Sequence, residues 1–365
     1  MPVLERIAVQ DFRNISFQEL TFSPNVNCIS GNNGEGKTNL MDAIWYLSMT
    51  KSAFSPSDRF NSRHGTHSFA ISGTYRMNDG LASRFSVQVD DDGAKRIRRD
   101  DKPCPKLSSH IGVLPIVMVS PSDISLVSES GEERRRFVNS VLSQMSAEYL
   151  ASVQQYNRLL AQRNRLLKDG PVDEALLEVF DRKMADCAVP VHQARSRFSE
   201  ALQPVVSESY RALSGGRENV TIRYRSDLDK GDLADILAAS RGRDAALGYT
   251  GAGIQRDDFI FEMDGWPIRR CGSQGQQKSF LVSLKFAQYE IMKARYSFPP
   301  MLLLDDVFDK LDMGRISNLI SMVAGKDFGQ IFITDSNKVR MSSVVDSITS
   351  DRAYFECSAG TFKAL

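Results

Sequence analysis

The chain has 365 residues, 42% of them hydrophobic and 25% charged, with 46 basic against 45 acidic side chains for a formal net charge of +1. This is the composition of a folded globular protein; it excludes disorder, collagen-like repeats and a uniformly basic nucleic-acid binder, while leaving room for a local basic patch. No run reaches the ~18 apolar residues of a membrane span, the opening MPVLERIAVQDFRN has charges inside its first apolar run, unlike a signal peptide, and five scattered cysteines with no CxxC pair point to a reducing cytoplasm rather than a disulfide frame or zinc ribbon.

Taken in chain order, short apolar runs at Leu4–Val9, Phe17–Phe22 and Val26–Ile29 alternate with polar or turn residues and predict strands. Further strand-like runs follow at Ser68–Tyr75, Arg84–Val89 and Val113–Val119. From about residue 131 the period changes. Phe137, Val141, Met145, Leu150, Val153, Tyr156, Leu160 and Leu167 recur at helical spacing until Gly170-Pro171, where a turn is expected. A second helical run covers about 173–213, with Pro190 as a kink or break. These runs predict an antiparallel helical lobe and no long coiled coil. Beyond Gly215-Gly216 the mixed pattern returns. It comprises a hairpin turning on Asp264-Gly265, a helix over Gln274–Arg295, and bare apolar strands at Met301–Leu304 and Gln330–Thr334.

Gly31-Asn32-Asn33-Gly34-Glu35-Gly36-Lys37-Thr38 matches the phosphate-binding pattern G-x-x-x-x-G-K-[ST] at every position, between a predicted strand and a predicted helix. Glycines let successive N–H groups face one concavity, and the helix start adds positive potential. Lys37 is expected on the β- and γ-phosphates of ATP, the Thr38 hydroxyl on Mg²⁺, and Asn39 beside them. Strand Met301–Leu304 ends in Asp305-Asp306, where an α/β sheet holds its ligand. Asp305 is the expected metal-side acid and Asp306 the general base, with Lys37 completing the catalytic set. Ser273-Gln274-Gly275-Gln276 opens the helix that precedes the acidic strand; alone it is a helix N-cap. A phosphate loop early, such a turn late and then an acidic strand is an order similar to that of ABC-type ATPases. Asp309-Lys310-Leu311-Asp312 then suits that class's D-loop. The switch histidine has no counterpart, and Thr334 or Asp335 occupies its region.

The ordered set Asp11-Phe12-Arg13-Asn14, the phosphate loop, Pro121-Ser122-Asp123, Glu133-Arg134-Arg135-Arg136-Phe137, Gln162-Arg163-Asn164, Arg256-Asp257-Asp258, Ser273-x-Gly275-Gln276 and Leu304-Asp305-Asp306-Val307 resembles the RecF family of bacterial recombination mediators, relatives of SMC heads. The chain departs from the family's Pro-Glu-Asp at Ser122 and from its Gly-Pro-His-Arg-Asp-Asp at Ile254 and Gln255. The resemblance implies an α/β fold, an ABC-type P-loop ATPase head with a mixed sheet around the phosphate-loop helix and a second, mostly helical lobe. Residues 1–130 and 216–365 would form the head and 131–215 the lobe. It also implies an ATP-dependent homodimer in which Ser273, Gly275 and Gln276 of one copy close over ATP held by another, with Arg13 near the adenine. Weak, DNA-stimulated hydrolysis would release duplex or gapped DNA, with RecO and RecR as partners. Basic clusters supply candidate DNA contacts at Arg134, Arg135, Arg158, Arg163, Arg165 and Lys168. The rival readings are a transporter motor, which needs a membrane partner; an ATP-dependent nuclease, for which too little chain follows Asp306; and an SMC-like chromosome tether, which needs long heptad arms.

Overall fold

The computed structural model describes residues 1–169, 173–306, 328–346 and 349–365. The Gly170-Pro171 turn, Val307 and the Asp309–Asp312 segment lie outside the described residues. The chain divides into two compact units, one made of Met1–Asp123 with Gln288–Leu365 and the other of Ile124–Ala287.

Among the described residues the first unit holds two six-stranded sheets. One is antiparallel: β1 (Val3–Phe12), β2 (Ile15–Thr21), β4 (Phe69–Arg76), β5 (Ala82–Val89), β6 (Lys95–Arg99) and β7 (Lys102–Pro103), in the order β2-β1-β4-β5-β6-β7. The other contains β3 (Val26–Ser30), β8 (Ile116–Val119), β12 (Met301–Leu304), β13 (Ile331–Asp335), β14 (Arg352–Ser358) and β15 (Thr361–Ala364), in the order β15-β14-β3-β13-β12-β8. Among the described residues its strands β14, β3, β13, β12 and β8 are parallel and β15 runs antiparallel. Strands covered on both faces read as unbroken apolar runs, and every residue of β3, β8, β12 and β13 is buried. Helix α1 (Lys37–Met49) contacts strands of both sheets. It therefore buries Leu40, Met41, Ala43, Ile44, Tyr46 and Leu47 rather than one narrow stripe. Phe12, Tyr46 and Phe69 pack edge to face in this core.

The second unit begins with α2 (Ser125–Ser128), α3 (Gly131–Met145), α4 (Ala147–Lys168) and α5 (Glu174–Ser214). Ser146 caps α4 and Asp173 caps α5 through their side-chain oxygens. Helix α5 runs 41 residues, about 60 Å at 1.5 Å per residue, through Pro190 and Pro204. Of the kink or break expected at Pro190, the break does not occur: the helix continues through it. Met184, Ala188, Val191, Phe198 and Leu202 are buried on both sides of it, so tertiary burial outweighs one lost backbone bond.

The lobe is also larger than the expected 131–215. It takes in α6 (Leu233–Leu247), α7 (Ile268–Cys271) and the three-stranded sheet of β9 (Val220–Arg225), β10 (Asp258–Met263) and β11 (Trp266–Pro267). The reason is local. Gln203 on α5 donates to the Val220 carbonyl at 3.1 Å and accepts from the Ile222 N–H, tying β9 to the helix. The β10–β11 turn has positive φ at Asp264 (48°) and Gly265 (81°), as the Asp-Gly pair predicts. Helix α8 (Gln274–Tyr296) starts in this unit and ends in the first.

Candidate active site

In the first unit, β3 delivers residues 31–36 as a loop that ends at the start of α1. Gly36 caps α1 with φ 118°, and a Cβ there would stand 2.7 Å from the Asn14 amide. Only glycine fits both constraints. Lys37 is 3% exposed and folds back over its own loop, donating to the carbonyls of Gly31 at 2.8 Å and Asn32 at 3.1 Å. Its Nζ lies 3.9 Å from Asp306 Oδ1. Asn32, Asn33 and Gly34 form the exposed tip of the loop.

The acids arrive from β12. Parallel pairing sets Leu304 beside Ile333 on β13, which brings Asp305 to Thr334. Thr334 Oγ1 donates to Asp305 Oδ1 at 2.7 Å and accepts from the Asp306 N–H at 2.9 Å. Thr38 Oγ1 donates to the same Asp305 carboxylate at 2.9 Å. Asp305 is 2% exposed; burial pushes its carboxyl above the usual range, the Thr334 and Thr38 bonds oppose that shift, and the Asp306 charge adds to it. Asp306 leaves the strand in the left-handed region, φ 46°, a conformation aspartate tolerates better than most residues. Thr38 and Asp305 present hard oxygens within hydrogen-bond distance of each other, a donor set that fits Mg²⁺.

Of the predicted site residues, the structure therefore brings Gly31–Thr38, Asp305 and Asp306 together. Thr334 is a participant the sequence marks only by its region, because a threonine in a strand is ordinary until its neighbour is known. Asn39 donates to Asn14 Oδ1 at 2.7 Å. Arg13 bonds Asp42 at 2.8 and 3.0 Å and Ser52 at 2.9 Å. Asp42 is fully buried on α1, and burial holds its carboxyl above the usual range although the Arg13 guanidinium opposes that shift. The signal for that pair was present: Asp42 stands among Leu40, Met41, Ala43 and Ile44 in a helix start with no polar face.

Ser273, Gly275 and Gln276 lie in the second unit. Ser273 is exposed and forms a capping box at the start of α8, its Oγ accepting from the Gln276 N–H at 3.3 Å and its N–H donating to Gln276 Oε1 at 2.7 Å. Gln276 also donates to Glu218 at 2.7 Å. The exposed hydroxyl thus stands at the positive end of a 23-residue helix.

The candidate DNA contacts divide. Arg163 is fully buried, bonded to Asp181 and Asp244 at 2.8 Å and to Thr250 at 2.9 Å. Arg134 is buried against Asp258 at 2.9 Å. Neither guanidinium can reach a phosphate in solvent, and both are withdrawn as DNA contacts. Arg135 is partly buried and donates to the Asp257 carbonyl at 2.7 Å. Arg158, Arg165 and Lys168 are exposed on α4, with Arg165 paired to Asp169 at 3.0 Å.

A family model described as "RecF/RecN/SMC N terminal domain" matches residues 3–353. The DNA replication and repair protein RecF of Bacteroides fragilis is 40% identical over 364 residues, covering 100% of this chain and 98% of that protein. The RecF of Flavobacterium johnsoniae is 37% identical over 348 residues, covering 94% and 97%. Among solved structures, the recombination mediator protein RecF with ATP, of the RecFOR pathway, is 28% identical with a TM-score of 0.90, covering 100% of this chain and 98% of that one. An SMC head bound to the C-winged helix domain of ScpA shares the fold alone, at 14% identity and a TM-score of 0.59.

Proposed function

Because the chain belongs to the RecF family, we propose that it is an ATP-dependent DNA-binding protein of recombinational repair, one that dimerises on ATP, holds duplex DNA beside single-strand gaps and works with RecO and RecR to load recombinase. The observation that carries this reading is the meeting of Lys37, Thr38, Asp305 and Asp306 at the ends of β3 and β12. The full-length RecF relatives favour it over a transporter motor or a structural tether. Among the described residues no helix is long and apolar enough to cross a membrane.

Lys37 exchanges its neutral carbonyl acceptors for anionic phosphate oxygens when ATP enters, which strengthens its charge-assisted bonds. Thr38 and Asp305 would hold Mg²⁺, which would supply neutralising charge for the phosphates. Asp306 orients the attacking water and takes its proton. Ser273 and the amides at the start of α8, from a second copy, donate to the γ-phosphate, so the dimer holds only while that phosphate is attached. Slow, DNA-stimulated hydrolysis then serves as a release timer.

The test is sedimentation with and without ATP. Ser273→Arg is expected to leave the binding of one ATP per chain largely intact yet remain monomeric, because the arginine fills the closing surface. Dimerisation of this variant at wild-type ATP concentration would overturn the shared-site reading.

A further inference from the structure

Two hairpin turns meet on a single carbonyl of the phosphate loop. The turn between β1 and β2 brings Asn14, whose Nδ2 donates to the Glu35 carbonyl at 2.9 Å. The turn between β14 and β15 brings Gly360, whose N–H donates to the same oxygen at 2.7 Å. Cys357 Sγ lies 3.4 Å from it, and the Ala359 N–H donates to the Glu35 carboxylate. Gln18 on β2 clamps Phe362 on β15 in both directions, at 2.9 and 3.1 Å, so the two hairpins are bonded to each other as well.

That carbonyl belongs to the peptide joining Glu35 to Gly36, immediately before Lys37. In a planar trans peptide the C=O and N–H point in opposite directions. Pinning the Glu35 oxygen outward with two donors therefore fixes the Gly36 N–H on the opposite side. Without the pins this peptide can rotate about ψ of Glu35 and φ of Gly36, and Gly36 (φ 118°) already sits at a positive φ that glycine adopts at little cost. The two turns also touch: a Cβ on Gly360 would stand 2.3 Å from the Asn14 carbonyl oxygen. Glycine is what lets both reach the loop.

We infer that Asn14 and Gly360 are positioning residues that hold the Gly36 N–H ready for phosphate, so that the closing hairpin of the chain sets the affinity for ATP. This rests on the reading of residues 31–38 as the ATP loop, and the test separates the two. ATP binding and steady-state hydrolysis are measured on full-length wild type, Asn14→Ala, Gly360→Ala and Lys37→Met. Asn14→Ala is expected to weaken ATP binding about fivefold, the worth of one hydrogen bond of ordinary strength, and Gly360→Ala about tenfold or more, since it disturbs both donors. In each, KM rises with Kd while kcat at saturating ATP and the binding stoichiometry stay unchanged, the pattern of lost uniform binding. A merely structural role gives the reverse, a smaller active fraction at unchanged Kd, and overturns the proposal. If Gly360→Ala fails to fold, Asn14→Ala decides alone. Wild-type Kd in Asn14→Ala, with binding lost in Lys37→Met, sinks the positioning proposal and leaves the ATP loop standing. Wild-type ATP binding in Lys37→Met sinks the loop assignment itself.

Discussion

Arg163 has no exposed side-chain surface and is shared between two buried carboxylates, Asp181 and Asp244. Asp181 has a second partner in Arg241 at 2.8 Å, whereas no other ion pair to Asp244 occurs among the described residues. Removing one member of such a group strands the remaining charge, which costs on the order of 3–5 kcal/mol. Arg163→Met is therefore expected to lower the urea midpoint steeply, and to leave DNA affinity per folded molecule intact. A loss of DNA binding with an unchanged unfolding curve would return Arg163 to the DNA surface. Composition treats Arg158, Arg163 and Arg165 alike, but spacing does not. Arg163 falls seven residues after Tyr156 and four before Leu167, on the buried stripe of α4, and Arg134 falls three before Phe137 and seven before Val141 on that of α3. Periodicity carried the distinction that charge counting hid.

Helix α4 also carries the exposed cations Arg158, Arg165 and Lys168 on its solvent side. Phosphate contacts of this kind are independent of sequence and fade with salt. The double variant Arg158→Glu/Arg165→Glu is expected to bind duplex DNA about tenfold more weakly at low salt, with a shallower dependence on salt concentration and unchanged ATP affinity. An unaltered salt slope would place the DNA elsewhere. At this scale the elements with strong patterns were readable in advance: β12 and β13 as apolar runs, α8 from its Ser-x-Gly start, and the β10–β11 hairpin from Asp-Gly. Those with weak patterns were not. Strand β6, Lys-Arg-Ile-Arg-Arg, buries only Ile97 and reads as a basic cluster. The hairpin of β14 and β15 alternates too briefly to stand out, and α6 buries only Leu233, Leu237 and Asp244.

The first unit is assembled from both ends of the chain, and its central strand shows why. Strand β3, which leads into the phosphate loop, pairs with β13 on one side and β14 on the other. A fragment of residues 1–123 retains β3 with neither neighbour and loses Asp305, Thr334 and Gly360. It is expected to be insoluble or unfolded and to bind no ATP, as judged by circular dichroism and nucleotide titration; a folded, ATP-binding fragment would show that the second sheet is dispensable. Local pattern could not predict this partition, because residues 216–287 look like head by their mixed strands and helices yet belong to the unit built on α5.

The same pairing has a consequence during synthesis. The phosphate loop leaves the ribosome early, and β13, the first of the strands that flank β3, follows roughly 300 residues later, tens of seconds at ordinary elongation rates. Through that interval the nascent polypeptide carries a complete phosphate-loop motif without the strands that pair with β3. A product released by premature termination before the final hairpin would lack the Gly360 donor, so incomplete copies would compete poorly with finished ones for ATP.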